Sequence, residues 1–416
     1  MSEPRERALL VGVTAGGAAR AGAEASLEEL GLLAQAAGAR VVGSLLQERA
    51  RRDPATLIGR GKVEDVARLS EEREVNLLLF DDELSPAQQR NLEDAVGRKT
   101  LDRTQLILDI FARRARTREG RLQVELAQLD YLLPRLTGRG TLLSRLGGGI
   151  GTRGPGEPKL ETDRRRIRQR NSAVRREIAG VRRERRTRRT GRRRVATPIV
   201  ALVGYTNAGK STLFSALTHA PAKASDQLFM TLDPLVRRAR LGPAQEILLV
   251  DTVGFIQKLP HGLVDAFRAT LEEVVEADLL LHVADASVED VEEREHAVEL
   301  VLREIGAGEK ARVLVFNKAD NTSPVRARSL LEGRPGSLLV SARTGEGLDE
   351  LRGELQRRLE LLTRTVELGF SSGDRRAISS VYAAGRVLAH EEEAGRVRLT
   401  AELPERLLER YRDHLL

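Results

Sequence analysis

An apolar run, Ile199–Val203, opens directly into Gly204-Tyr205-Thr206-Asn207-Ala208-Gly209-Lys210-Ser211, and a helix-compatible stretch continues from Ser211 to His219. Gly204, Gly209, Lys210 and Ser211 satisfy G-x-x-x-x-G-K-[ST] at every fixed position, in the strand–loop–helix context that the pattern requires. Glycine at 204 and 209 lets the chain curl until its amides converge, and the helix start adds partial positive charge at the same point. Such a cradle suits the β-phosphate of a nucleotide. Lys210 would reach the β- and γ-phosphates, and the Ser211 hydroxyl would meet Mg2+. A parallel α/β sheet, with this loop at the carboxyl end of one strand, is the fold predicted around it.

Three later motifs complete the site, and the last two select the base. A strand expected at Glu246–Val250 ends in Asp251-Thr252-Val253-Gly254, where Asp251 would hold Mg2+ through water and the Gly254 amide would sense the γ-phosphate. A strand expected at Ala311–Phe316 ends in Asn317-Lys318-Ala319-Asp320. The Asp320 carboxylate can accept from guanine N1–H and the 2-amino group, donors that adenine does not offer. Lys318 would lay its stem along the base, and Asn317 would tie loops together. Behind a strand at Ser337–Val340 comes Ser341-Ala342-Arg343, whose backbone can donate to guanine O6. In this order, each at a strand end, the elements predict GTP and GDP as ligands, with Mg2+ as cofactor.

Between the first two motifs lies Gln227-Leu228-Phe229-Met230-Thr231-Leu232-Asp233-Pro234. Thr231 is the candidate to close on Mg2+ when GTP is bound; an ordinary loop threonine is the alternative. The expected nucleotide contacts are thus 204–211, 229–233, 251–254, 317–320 and 341–343. Lys210, Thr231 and Gly254 are the expected catalytic groups, and Ser211 and Thr231 the metal ligands. Many GTPases follow D-x-x-G with a glutamine that orients the attacking water, but here Phe255 stands in that place. Hydrolysis by the isolated chain should then be slow unless backbone groups or an external partner place the water. Asn207 leaves two readings open: it holds a K+ ion beside the phosphates, or it braces the loop.

With 416 residues the chain exceeds one hydrophobic core. The expected domains are an N-terminal α/β domain with a trailing helix (1–133), a glycine-rich and arginine-rich linker (134–196), the nucleotide domain (197–362) and a small α+β domain (363–416). In the first, strands at Ala8–Val13, Arg40–Leu46 and Val75–Phe80 alternate with helices at Ser26–Ala37, Gly61–Arg73 and after Ser85-Pro86, which implies a second parallel sheet. Asp81 and Asp82 read either as a metal site or as turn and cap residues. A helical pattern from Asp102 to Leu133 should stop at Pro134. Eight glycines then fall between 138 and 156, together with Arg139, Arg145 and Arg153. That loop is either an inert linker or a segment that orders against phosphate. In the last domain, strands are expected at Arg364–Leu368 and Arg396–Ala401, and helices near Asp374–His390 and Pro404–His414.

Charge is concentrated in one place. The window from Thr162 to Arg194, most of an expected helix Leu160–Arg189, holds 16 arginines and three acidic residues, a local +13 in a chain of net +8. Such a block points to a polyanion, nucleic acid before membrane. A solvated helix in an arginine-rich protein is the alternative. With 12 Phe and Tyr residues and no Trp, base stacking should not dominate recognition. The absence of Cys excludes a disulfide framework and a thiolate nucleophile. No stretch approaches the ~18 apolar residues of a membrane span. A cytoplasmic monomer, in part at a membrane periphery, is the expectation.

The stretch Phe80-Asp-Asp-Glu-Leu-Ser-Pro-Ala-Gln-Gln-Arg-Asn-Leu-Glu93 resembles the N-terminal domain of the HflX GTPases, as do Asp102–Phe111, Leu132–Leu136 and the run Gly147–Glu157. Gly204–Ser211, Phe229–Asp233 and Asp251–Phe255 are similar to the GTPase domain of that family, although Met230 stands where the family often has alanine. The resemblance implies a cytoplasmic GTPase that binds the large (50S) ribosomal subunit and its rRNA, hydrolyses GTP there, and splits or rescues stalled ribosomes under stress. A GTP-gated RNA-binding scaffold outside translation and an ATP-driven RNA remodeller are the rival expectations.

Overall fold

The computed structural model describes residues 6–17, 19–136, 156–193, 197–220, 228–242, 245–258 and 271–416. The chain divides into two compact units. The first comprises Met1–Ala179, Asp226–Leu232 and Gln257–Phe267; the second Gly180–Ser225, Asp233–Ile256 and Arg268–Leu416.

The first unit is built on a four-stranded, wholly parallel sheet in the order β2-β1-β3-β4, formed by β1 (Arg7–Thr14), β2 (Arg40–Glu48), β3 (Leu77–Phe80) and β4 (Lys99–Asp102). Every residue of β3 is buried, as a central parallel strand flanked by helices requires. Strand β4 was not anticipated. Its four residues, Lys-Thr-Leu-Asp, carry no strand signal of their own and depend on pairing with β3. Helices α1 (Ala19–Ala36), α2 (Arg60–Glu72), α3 (Pro86–Val96) and α4 (Arg103–Arg114) alternate with the strands. Helix α3 opens with a capping box: Ser85 accepts from the Gln88 amide at 3.2 Å, while the Gln88 side chain accepts from the Ser85 amide at 3.0 Å.

The helical pattern after Asp102 is two helices, because the chain turns extended at Ala115 before α5 (Arg118–Arg135). Pro134 does not stop α5; the helix runs one residue beyond it. Proline there forgoes only the one helical hydrogen bond that its amide would have given to Asp130 O, next to the helix end. Helix α6 (Gly156–Arg193) is longer at both ends than expected. Within the first unit, Val174 and Ile178 of α6 are buried, Arg170 makes a two-pronged ion pair with Glu125 of α5 at 2.6 and 2.7 Å, and Arg175 meets Asp130 at 2.9 Å. Residues 137–155, most of the glycine-rich stretch, lie outside the described residues.

The second unit carries a six-stranded sheet in the order β10-β9-β8-β5-β7-β6. Its strands are β5 (Ile199–Gly204), β6 (Leu235–Arg240), β7 (Glu246–Asp251), β8 (Leu279–Asp285), β9 (Arg312–Asn317) and β10 (Leu338–Leu339). All pairs are parallel except β6 with β7, an antiparallel edge that the sequence did not reveal. Helices α7 (Lys210–Thr218), α8 (Val291–Glu304), α9 (Pro324–Glu332) and α10 (Leu348–Glu360) follow strands β5, β8, β9 and β10. Strands β5, β7, β8 and β9 end, side by side, in Gly204, Asp251, Asp285 and Asn317. The carboxyl ends of such strands are where open α/β sheets bind ligands.

The same unit ends in an antiparallel sheet of order β11-β13-β12, from β11 (Thr363–Ser371), β12 (Arg386–Glu393) and β13 (Arg396–Pro404). The expected helix to His390 is corrected here. Helix α11 (Arg375–Ala384) ends at Gly385, and the residues after it pair with β13 as β12. Val387 and Leu388 fit a helical period equally well, so only the partner strand decides. The final expected helix is a short one, α12 (Glu405–Leu408), continued by a 3-10 turn through His414.

Candidate nucleotide site

Strand β5 is buried from Val200 onward, which fixes the point where the phosphate loop leaves the sheet. The loop is clamped across to the neighbouring motif: the Phe255 amide donates to Gly204 O at 3.1 Å and the Thr206 amide to Phe255 O at 2.7 Å. Glycine is required by space at three places, the first being Gly204, where a Cβ would strike Val283 O. Gly209 sits at φ +90°, in the left-handed region, and a Cβ there would strike the Asn317 side-chain amide. A Cβ on Gly254 would stand 2.9 Å from both Lys210 Nζ and the Thr206 side chain. Any side chain at 254 would fill the cradle that Lys210 borders.

Lys210 is buried, and its ammonium donates to Gly204 O at 3.0 Å and Tyr205 O at 2.7 Å. Burial lowers its pKa to about 8, with Asp251 acting in the opposite sense. A buried ammonium that faces two carbonyls is only partly balanced by Asp251, and a polyphosphate would supply the remaining charge. The Ser211 hydroxyl donates to an Asp251 oxygen at 2.8 Å. These two oxygen ligands suit a hard cation such as Mg2+. Thr206 Oγ1 is buried without a hydrogen-bond partner among the described residues. Thr252 is a brace: its hydroxyl donates to Leu202 O at 2.5 Å. Phe255 is buried at 1% exposure, and Val253 is buried as well.

At the base end, Asn317 joins two loops. Its side-chain amide donates to Ala208 O at 2.9 Å, and its Oδ1 accepts from the Ala342 amide at 2.9 Å. The Ala342 amide is therefore spent on Asn317 and the Ser341 amide on Glu346 O. Lys318, at φ +68°, pairs its ammonium with Asp285 at 2.7 Å, while the Ala319 amide holds Val340 O at 3.0 Å. Asp320 accepts from the Ser341 hydroxyl at 2.5 Å and pairs with Arg343 at 2.5 Å. The Ser341 hydrogen bond, aided by Arg343 and opposed by burial, keeps the Asp320 carboxyl below the usual carboxylate range.

Sequence reasoning missed Asp285, whose signal was the run Leu279–Ala284, apolar except for His282, ending in an acid. It also missed Arg294, which lies over the Tyr205 ring at 5.1 Å and is held by Asp290. Asn207 takes φ +60° in the loop.

Phe229, Met230, Thr231 and Leu232 are grouped with the first unit, and Asp233 with the second. Phe229 packs edge-on against Phe111, centroids 4.6 Å apart, and Thr231 is buried. Lys258, three residues after Phe255, also belongs to the first unit and pairs with Asp81 and Asp82. Asp81 further binds the buried Arg103 at 2.7 Å and the Ser26 hydroxyl at 2.7 Å, and Asp82 binds Arg52 at 2.7 Å. The metal reading of this acidic pair gives way to an ion cluster: three of its four oxygens meet cations, while Asp82 Oδ2 is buried without a hydrogen-bond partner among the described residues. Burial pulls the Asp81 carboxyl upward, but Arg103 and Lys258 together hold it below its ordinary value. No cluster of three or more candidate metal ligands occurs among the described residues, and none of their helices is long and apolar enough to cross a membrane.

Three family models match the chain: "GTP-binding GTPase N-terminal" at residues 24–112, "GTP-binding GTPase Middle Region" at 114–192 and "50S ribosome-binding GTPase" at 199–318. A curated protein named GTPase HflX from Caldanaerobacter subterraneus is 45% identical over the whole of this chain and 95% of its own length. Another of that name from Lacrimispora saccharolytica is 45% identical over 98% of this chain and 96% of its own. The Escherichia coli protein of that name is 45% identical over 84% of this chain and 83% of its own. Among solved structures, a GTP-binding protein from Sulfolobus solfataricus in complex with GDP aligns at TM-score 0.46 and 24% identity, over 85% of this chain and 98% of that one.

Proposed function

The chain belongs to the HflX family of GTPases, and on that premise we propose that it binds the large ribosomal subunit in its GTP state, hydrolyses GTP there, and serves to split or rescue stalled ribosomes under stress. The observation that carries this reading is Phe255. The residue after D-x-x-G is an apolar side chain buried in the GTPase core, so this chain has no polar group at that place to orient the attacking water. The water must then be placed by backbone groups or by a partner, and the matching model's description as a 50S ribosome-binding GTPase supports the partner. Helix α6 supplies a surface of the right charge, with Arg165, Arg168 and Arg176 exposed.

At the nucleotide, Lys210 would neutralise the β- and γ-phosphates, and the Gly254 amide would donate to the γ-phosphate. Ser211, Thr231 and Asp251 would hold Mg2+, which draws charge from the phosphate oxygens when bound. Asn317 would brace the loops, and Asp320 with Lys318 would read guanine. The remaining residues of 204–211, 229–233, 251–254 and 341–343 would line the ligand. Location in the cytoplasm, in part at a membrane periphery, and action as a monomer belong to the same proposal, as do domain limits near 133, 196 and 362.

Sedimentation with purified large subunits, alongside a phosphate-release assay, tests it. Binding should be tighter with a non-hydrolysable GTP analogue than with GDP, and subunits should raise turnover at least tenfold. Equal binding in both nucleotide states, or free protein already at the stimulated rate, refutes the proposal.

A further inference from the structure

We infer that the Arg343 side chain is a built-in competitor of guanine for Asp320, so that Arg343 sets how readily the base is accepted. The inference rests on Asp320 being the base reader. Guanine would present two donors, N1–H and the 2-amino group, to the two oxygens of that carboxylate. Both oxygens already have partners: Ser341 Oγ donates to Oδ1 at 2.5 Å, and Arg343 Nη2 stands 2.5 Å from Oδ2.

The two partners differ in what they can do. Ser341 is buried, its amide is fixed to Glu346 O and its hydroxyl also accepts from the Thr344 amide at 3.1 Å, so it stays. A carboxylate oxygen accepts more than one hydrogen bond, so Ser341 and a base can share Oδ1. Arg343 is different. Its side chain is 77% exposed and reaches Asp320, itself only 15% exposed, from the solvent side. An incoming base must meet this same carboxylate, whose other oxygen is held by Ser341. Lys318, the other cation of the base motif, does not compete, because its ammonium is held by Asp285 at 2.7 Å. The Arg343 guanidinium thus occupies an oxygen that guanine needs.

An exposed ion pair of this kind shifts an equilibrium by about 1.4- to 5-fold at low salt and less as salt screens it. Full-length Arg343→Gln protein should therefore bind fluorescent GDP about two- to fivefold more tightly than the parent at low salt. Most of the gain should come from faster association, and it should shrink towards unity in a KCl series. A purely structural role for Arg343 would not give an affinity gain that salt removes. The second arm uses Asp320→Asn protein, which lacks the carboxylate, titrated with xanthosine diphosphate. There Arg343→Gln should change nothing. Unchanged or weaker GDP binding by Arg343→Gln at low salt overturns the inference, as does a gain that persists in the Asp320→Asn background. Failure of Asp320→Asn to move preference from GDP to xanthosine diphosphate would instead remove the base-reader assignment itself.

Discussion

Replacing Lys210 by methionine should make the protein more stable while destroying its use of nucleotide. The reason is electrostatic. Lys210 is wholly buried, and its pKa falls from 10.5 to about 8 because the charged form has lost its water. At neutral pH the ammonium is protonated in the folded and the unfolded chain alike, so the folded state carries the entire desolvation penalty. A drop of this size corresponds to about 3 kcal/mol at ~1.4 kcal/mol per unit. Methionine keeps the apolar stem but leaves the buried Gly204 O and Tyr205 O without their donor, an offset of about 1 kcal/mol for each. The net gain should be about 1 kcal/mol, or roughly 2–4 °C in the melting of the GTPase unit.

The pH dependence fixes the cause. A lysine with a depressed folded pKa destabilises fully below that value, and the penalty fades as pH rises from about 8 towards 10.5. Thermal melts in EDTA without nucleotide should show Lys210→Met above the parent at pH 7, with the gap narrowing by pH 9.5. GDP with Mg2+ should raise the parent's melting temperature and leave the variant's unmoved. A variant that melts below the parent at pH 7, or a gap that ignores pH, refutes the argument.

Asp320→Asn should exchange guanine for xanthine preference by at least tenfold in competition titrations, because the amide offers a donor where guanine needs an acceptor; unchanged GTP affinity would count against the assignment. If Asn207 supports a K+ ion, replacing K+ by Na+ at constant ionic strength should slow GTP turnover severalfold, and the effect should vanish in Asn207→Ala. Arg165→Gln combined with Arg168→Gln should weaken large-subunit binding about uniformly and lower the slope of affinity against salt by one to two, with GTP affinity unchanged. Arg170 is left out of that pair because its guanidinium is committed to Glu125. A salt slope equal to the parent's would mark α6 as a solvated helix.

What was legible in the sequence was local. Gly204–Ser211 needs only its own strand and helix, and Asp251, Asn317 and Ser341 each close a short apolar run, so a strand end and a motif arrive together. Ser85 and Pro86 announce a helix start by chemistry within four residues. What stayed hidden depends on distant partners. Lys258 meets Asp81 across 177 positions, with no pattern linking them. Strands β4, β6 and β12 exist because neighbours offer unpaired backbone, and Val387-Leu388 alone fits either period. The Ser341-Ala342-Arg343 backbone reads as a donor to guanine O6, and nothing in the sequence shows that Asn317 holds the Ala342 amide. Arg170 looked like part of a solvated charge block until Glu125 was found opposite.

Asn317 has a consequence for anyone who would redesign this protein. Ala208 and Ala342 are separated by most of the GTPase domain in sequence, yet both hang on one carboxamide. The loop that grips phosphate and the loop that frames the base are thereby stitched at a single point. Base preference should be exchangeable at Asp320 without retuning the phosphate end, because Asp320 is not part of the stitch. A change at Asn317 would slacken both grips together and would be misread as two separate defects. An orthogonal nucleotide switch built on this scaffold should therefore vary Asp320 and Arg343 freely and treat Asn317 as fixed.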